Sequence, residues 1–270
     1  MTPVSRRHLL AGFLAASLSN TTSTKSPKRT FQVFDGLLHL RKPSAQRLGL
    51  APLRAVANIW RSHNQQDVDE HGLILALNKL PRDTRSIFFD IECWPLLQVP
   101  STVRDESVRK FMRVAEITRK HKPTLSFGFY NILPAHTYWP LVAPQFQEEY
   151  TEWVAANKAL KPLSNLVDYI FPSLYTYYAD QNGWTKNATA LLDAAREFGK
   201  PVLPFLWFEY HDSNKQLINH EIDPAAWREE LKFCKMHADG VVLWGGYQRH
   251  WSDQAVWWQT AQSELDILSS

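Results

Sequence analysis

Ser86-Ile87-Phe88-Phe89-Asp90-Ile91-Glu92-Cys93-Trp94 decides how this chain is read. Three large apolar residues run into two carboxylates spaced two apart, and an aromatic follows at once. Side chains alternate along a strand, so Asp90 and Glu92 share one face and Ile91 takes the other. The apolar run predicts a strand buried on both faces. Two acids at the end of such a strand bear a desolvation cost unless they are hydrogen bonded or one holds a proton.

Six further apolar runs of strand length accompany this one: Phe31 to Asp35, Ala55 to Trp60, Thr124 to Tyr130, Tyr169 to Tyr175, Val202 to Phe208 and Gly240 to Trp244. Between them lie segments of helical period. Val108, Phe111, Met112 and Ala115 put one stripe on a helix from about Asp105 to His121, with Pro123 beyond its end. Ala188, Leu191, Leu192, Ala195 and Phe198 form a second stripe, stopped by Gly199. Asp223-Pro224 supplies an N-cap and a first-turn proline for a third helix carrying Trp227, Leu231 and Cys234. Repeated strand, helix, strand order calls for a parallel sheet with its connections packed outside. An open doubly wound sheet usually announces itself by a glycine-rich turn after an early strand, and this chain has none. The expectation is therefore an α/β fold, a single-domain TIM-barrel-like (β/α) barrel of seven or eight strands over residues 31–270. Pro134 to Pro144 and Tyr177 to Trp184 are expected as long loops over the carboxyl ends of strands, where barrels assemble their sites.

The N-terminus is set apart from that domain. Ser5-Arg6-Arg7-His8 precedes an apolar run from Leu9 to Leu18, and no acidic residue occurs before Asp35. This is the pattern of an export signal of twin-arginine type over residues 1–20, followed by a polar leader over 21–30. The apolar run is too short to span a membrane. A periplasmic or extracellular protein without stable membrane insertion is expected, and a monomer.

The formal net charge of +3 over 270 residues falls to about +1 without Arg6 and Arg7, and the basic residues are scattered. Nucleic acid is not an expected partner. Cys93 and Cys234 are the only cysteines; export permits a disulfide between them, but simple burial is equally compatible. The histidines lack zinc-site spacing, so no metal is expected, and the absence of a phosphate loop, a Gly-x-Ser-x-Gly elbow or a Cys-x-x-Cys pair leaves no cofactor to assign.

Glycosidic cleavage needs a proton donor for the departing oxygen and a nucleophile or negative charge at the anomeric centre. A carboxyl group beside a second carboxylate suits the first task, because two adjacent charges resist coexisting. Glu92, nearer the loop, is the candidate donor. Asp90 lies deeper and would orient a substrate group.

With Asp90-Ile91-Glu92-Cys93-Trp94-Pro95, the chain resembles the hyaluronidase family of glycoside hydrolases, family 56, and more distantly the family 18 chitinases. The likeness extends through Gly128-Phe129-Tyr130-Asn131 with Pro134 downstream, Phe171-Pro172-Ser173-Leu174-Tyr175, and Val242-Leu243-Trp244-Gly245. It implies a retaining, substrate-assisted reaction on an oligo- or polysaccharide containing N-acetylhexosamine. The 2-acetamido group would attack the anomeric carbon, Glu92 would donate the proton, Asp90 would steady the acetamido nitrogen and Tyr175 would hydrogen bond to the group. Trp244 is similar to the aromatic that floors the sugar pocket. Trp94, Tyr130, Asn131, Trp207, Tyr177 and Asp35 complete the expected substrate-binding set.

The chain departs from that family where it has Glu92-Cys93-Trp94 in place of Glu-Glu-Trp, and where the Cys-Tyr-Asn after the proline is missing. Both differences speak against hyaluronan as the substrate. Two other readings stay open. Glu209, also expected near the substrate, could serve as a protein nucleophile on sugars without an acetamido group if it faced Glu92 at about 5 to 5.5 Å. A non-catalytic carbohydrate-binding barrel would keep the same aromatic cleft.

Overall fold

The computed structural model describes residues 30–57 and 67–268. The export-signal and leader expectations fall outside those residues, as does the end of the Ala55 to Trp60 run.

All paired strands are parallel. β1 (Gln32–Leu37), β2 (Ala51–Pro52), β6 (Phe205–Trp207) and β7 (Gly240–Gly245) form one sheet in the order β2-β1-β7-β6. β3 (Arg54–Val56), β4 (Ser86–Phe89) and β5 (Ser126–Phe129) form another, ordered β3-β4-β5. The two sheets are joined on both sides. Residues 51–56 pair with β1 through Ala51 and Pro52, then with β4 through β3. On the other side the segment 170–176 bridges β5 at Tyr130↔Phe171 and the β6 segment at Ile170↔Val202 and Ser173↔Phe205. Followed from neighbour to neighbour, the pairing visits seven strand positions and returns to β1. This is a TIM-barrel-like α/β arrangement. The segment 170–176 makes isolated bridges because Pro172 has no amide to donate, and Pro204 opposite it has none either.

Helices pack between successive strands: α1 (Glu70–Lys79), α2 (Ser101–His121), the short α3 (Trp139–Val142), α4 (Gln147–Leu160), α5 (Gln181–Arg196), α6 (Pro224–His237) and α7 (Val256–Leu265). The expected 105–121 helix begins earlier, at Ser101. The 177–184 loop is shorter than expected, because the Asp180 carboxylate caps α5 by accepting from the Gly183 amide at 3.0 Å. The Asp223 cap and following proline open α6 as the sequence indicates.

The core has two compartments, and strand alternation separates them. Ile87, Phe89 and Ile91 belong to the large cluster shared with the helices. Phe88 belongs to an inner cluster with Phe34, Phe171, Tyr175, Phe205 and Val242. β7 divides the same way, with Val241 and Leu243 outward and Val242 inward against Trp244. Asp90 and Glu92 therefore continue the inward face that Phe88 begins. Cys93 is half-buried, Cys234 is buried, and both are free thiols.

Candidate active site

β4 ends at Phe89, and the Asp90 amide donates to the Val56 carbonyl at 3.3 Å, which holds the next turn of chain at the barrel mouth. Asp90 is half-buried and Glu92 is exposed. The two carboxylates meet a group of tyrosines. The negative charge of Asp90 is felt at the Tyr175 hydroxyl, and that of Glu92 at Tyr130 and Tyr177.

Phe171, Ser173, Tyr175 and Tyr177 alternate along one strand segment, so all four face inward. Their hydroxyls form a chain. Tyr130 donates to Ser173 Oγ at 3.2 Å, Ser173 Oγ lies 3.3 Å from the Tyr177 hydroxyl, and Tyr177 lies 2.9 Å from His136 Nε2. At the other end the Tyr175 ring meets that of Tyr130, centroids 5.9 Å apart. Burial drives the pKa of Tyr130 and Tyr175 well up and that of Tyr177 to about 12, so all three remain phenols. Burial also lowers His136 to about 4, with His211 contributing, which leaves its imidazole neutral at ordinary pH. The His211 ring stacks on Tyr175 at 5.7 Å and lies 4.8 Å from Tyr177. Burial lowers its pKa as well.

A small hollow of about 210 Å³ opens beside Glu92 and is bordered by Tyr130, Asn131 and His136. Asn131 sits there at φ 62, with its amide donating to the Phe171 carbonyl at 2.8 Å. Trp94 also borders the hollow but is only 3% exposed, its ring packed edge-on against Phe111 of α2. That makes it a wall of the core more than a platform for a ligand.

The tryptophans come from the opposite sheet. Trp244 is half-buried and meets Phe88 edge-on at 5.9 Å. Trp207 lies edge-on to Tyr175 at 5.4 Å. Gly245, at φ 115, makes room for it: a Cβ there would come within 2.5 Å of the indole. The Trp207 indole N–H donates to Glu209 Oε2 at 2.9 Å, and the other oxygen of Glu209 pairs with Arg249. Burial raises the Glu209 pKa, and these two partners pull it back down. Glu209 is thus engaged on both oxygens by the protein. Asp35 is not at the pocket floor: it falls on the same strand face as Val33 and Leu37, which pack outward, and it pairs with Lys42.

The structure thus brings together Asp90, Glu92, Tyr130, Tyr175 and Tyr177, with Trp207 and Trp244 from the facing wall. Sequence reasoning missed Ser173, His136 and His211 as members. The alternation Phe171, Ser173, Tyr175, Tyr177 was a usable signal for Ser173. Nothing local marks His136, which arrives from the loop after β5.

No family profile matches the chain, and no curated protein does. Solved structures do match. Bee venom hyaluronidase, crystallised with a hyaluronic acid tetramer, aligns over 80% of this chain and 90% of its own, with a TM-score of 0.58 and 14% identity. The chain is similar in fold to that hyaluronidase. A chitinase from Chromobacterium violaceum aligns over 87% of this chain and 92% of its own at 12% identity, but its TM-score of 0.48 is too low to add to the argument. At 14% identity, what is shared with the bee venom hyaluronidase is the barrel-like fold. Activity has to be argued from the side chains at its mouth.

Proposed function

We propose that the protein is a retaining glycoside hydrolase acting on glycans that contain N-acetylhexosamine. The observation that carries this reading is the inward pair Asp90 and Glu92, set at the barrel mouth beside Tyr175, Tyr130 and Tyr177. Glu92, on the exposed side, gives its proton to the glycosidic oxygen as the C1–O bond breaks. The acetamido carbonyl oxygen of the same sugar forms the new bond to C1, closing an oxazoline ring. Asp90 accepts a hydrogen bond from the acetamido N–H and offsets its developing positive charge. The Tyr175 hydroxyl, held protonated by burial, donates to the acetamido oxygen. Water then adds to C1 as the oxazoline C1–O bond breaks and the acetamido group re-forms; the water loses its proton to the Glu92 carboxylate, and the two inversions leave the product with retained configuration. The faces of Trp244 and Trp207 offer apolar surface to the pyranose.

The engagement of Glu209 by Trp207 and Arg249 weighs against its use as a nucleophile. Export of the mature chain stays part of the proposal, resting on the twin-arginine pattern at Arg6 and Arg7.

The test is product release, followed by mass spectrometry, from glycans with and without N-acetylhexosamine. Cleavage confined to acetamido sugars and lost in Glu92→Gln is the expected result. Cleavage of non-acetamido sugars would move the nucleophile to the protein. Glycan binding without any cleavage would make this a carbohydrate-binding barrel.

A further inference from the structure

We propose that His211 is a substrate-binding residue whose Nε2–H donates a hydrogen bond to a hydroxyl oxygen of the N-acetylhexosamine held against Trp207. The inference rests on the glycosidase reading and adds to it a donor that the proposed reaction leaves unused.

Placement is the first observation. The chain keeps its alternation beyond β6: Tyr210 packs with the outer cluster, so His211 turns the other way, toward the mouth. Its amide donates to the Thr176 carbonyl at 3.0 Å, which sets it alongside the strip that carries Tyr175 and Tyr177. The imidazole stacks on Tyr175 at an interplanar angle of 26°, lies tilted against Tyr177, and stands edge-on to Trp207 at 6.0 Å. Three side chains expected to meet the sugar thus border one ring.

The place of the ring proton is the second observation. Nδ1 accepts from the Ser213 amide at 3.2 Å and lies 2.8 Å from Ser213 Oγ. A ring nitrogen that accepts from a backbone N–H carries no proton of its own, so the neutral imidazole holds its proton on Nε2. Burial favours that neutral form and Lys215 adds to it, while Asp212, 3.4 Å from Nδ1, opposes them.

Access is the third. The side chain stays 25% exposed, and among the described residues none accepts from Nε2. His136 differs: it also meets Tyr177, but its Nε2 is engaged by the Tyr177 hydroxyl at 2.9 Å. A histidine needed only to hold the turn after it has finished its work at Nδ1. The Nε2–H remains, and once a sugar displaces water from the mouth this donor has to find an acceptor or bear the cost of losing its solvation. A pyranose hydroxyl supplies one.

The experiment separates the two nitrogens. In the full chain carrying Glu92→Gln, which spares the ligand, calorimetry measures binding of a hexamer of N-acetylglucosamine before and after substitution of His211. His211→Asn places an amide oxygen near the Nδ1 position, where it still accepts from Ser213, and has nothing at Nε2. His211→Gln reaches the Nε2 position with an N–H and gives up the Ser213 bond. We expect His211→Asn to weaken the hexamer by about three- to tenfold, the worth of one neutral hydrogen bond, and His211→Gln to stay within about twofold of the parent. Nitrogen spectra of the imidazole rings should show the His211 Nε2 resonance moving on saturation with hexamer while Nδ1 keeps its acceptor signature. Unchanged binding in His211→Asn, a loss in His211→Gln as large as in His211→Asn, an unmoved Nε2 resonance, or no binding of hexamer to the Glu92→Gln parent would each overturn the inference. The glycosidase reading fails separately: the binding contrast and the Nε2 shift would stand, and the wild-type chain would leave the hexamer uncut.

Discussion

Two walls of the barrel each end in an inward-facing acid, and their fates differ. On one wall Phe88, Asp90 and Glu92 alternate inward; on the other Phe205, Trp207 and Glu209 do the same. Alternation alone treats Glu92 and Glu209 alike. Their partners do not. Glu209 is 4% exposed and tied to Trp207 and Arg249, while Glu92 is exposed and faces phenols that carry no charge. Strand parity delivers an acid to each wall; Trp207 and Arg249 hold Glu209, and the proposed reaction gives the proton transfer to Glu92.

The sharpest way to break this contrast is to neutralise each acid in turn. Glu92→Gln should lower kcat by roughly 10²- to 10⁴-fold, the usual worth of a general acid, with little change in melting temperature. Glu209→Gln should do the reverse in character. It weakens the Arg249 pair and the hold on Trp207, costing about 1 to 3 kcal/mol in denaturant unfolding, with a smaller loss of turnover. If Glu209→Gln proved the more damaging to kcat at full foldedness, the two walls would have to exchange roles.

A third carboxylate sharpens the comparison. Glu230 on α6 is fully buried and accepts from Thr176 Oγ1 at 2.7 Å, and burial raises its pKa to about 8, with Cys234 and Tyr210 nearby. The folded protein keeps a proton on Glu230 that the unfolded chain releases above about 4.5. This contribution to stability is whole at pH below 4.5 and declines as pH rises toward 8. Thermal melts across that range should show Glu230→Gln losing less stability than wild type as pH increases. Parallel curves would mean the acid is ionised in the fold.

The smallest expected effect belongs to the hydroxyl chain. Ser173→Ala leaves Tyr130 and Tyr177 short of a partner and should cost about 1 to 3 kcal/mol. It should also raise KM modestly, which steady-state kinetics would read. A variant as active and stable as wild type would show that the tyrosines are placed by packing alone.

Much of this was legible in the sequence. Five of the seven apolar runs carry strands, the Ala55 run begins on β3 before leaving the described residues, and the Tyr169 run makes isolated bridges, because buried parallel strands carry little but apolar side chains. α1, α4 and α7 were not legible: Leu73 and Leu77 are the buried face of α1, and so short a stripe barely differs from chance. The Asp90–Glu92 pair could be found because both residues sit on one strand. His136 and His211 could not, since two different loops bring them to the same tyrosines. Trp94 misled because an aromatic beside an acid suggests a platform, whereas α2 claims its ring.

The segment holding Tyr175 and Tyr177 has isolated bridges on both flanks, where β1 and β7 share six paired positions. Backbone bonds such as Asn131 amide to Phe171 carbonyl and Leu174 amide to Phe205 carbonyl tie it on both sides, and side chains add to them: Tyr130 on Ser173, Glu230 on Thr176, and the Trp184 indole on the Leu174 carbonyl at 3.0 Å. Side chains can be exchanged one at a time, and a backbone ladder cannot. The tyrosines that the proposed reaction would use thus stand on a strip whose backbone is tied on both sides and whose side-chain bonds can still be changed one at a time, so a change of substrate need not dismantle the fold.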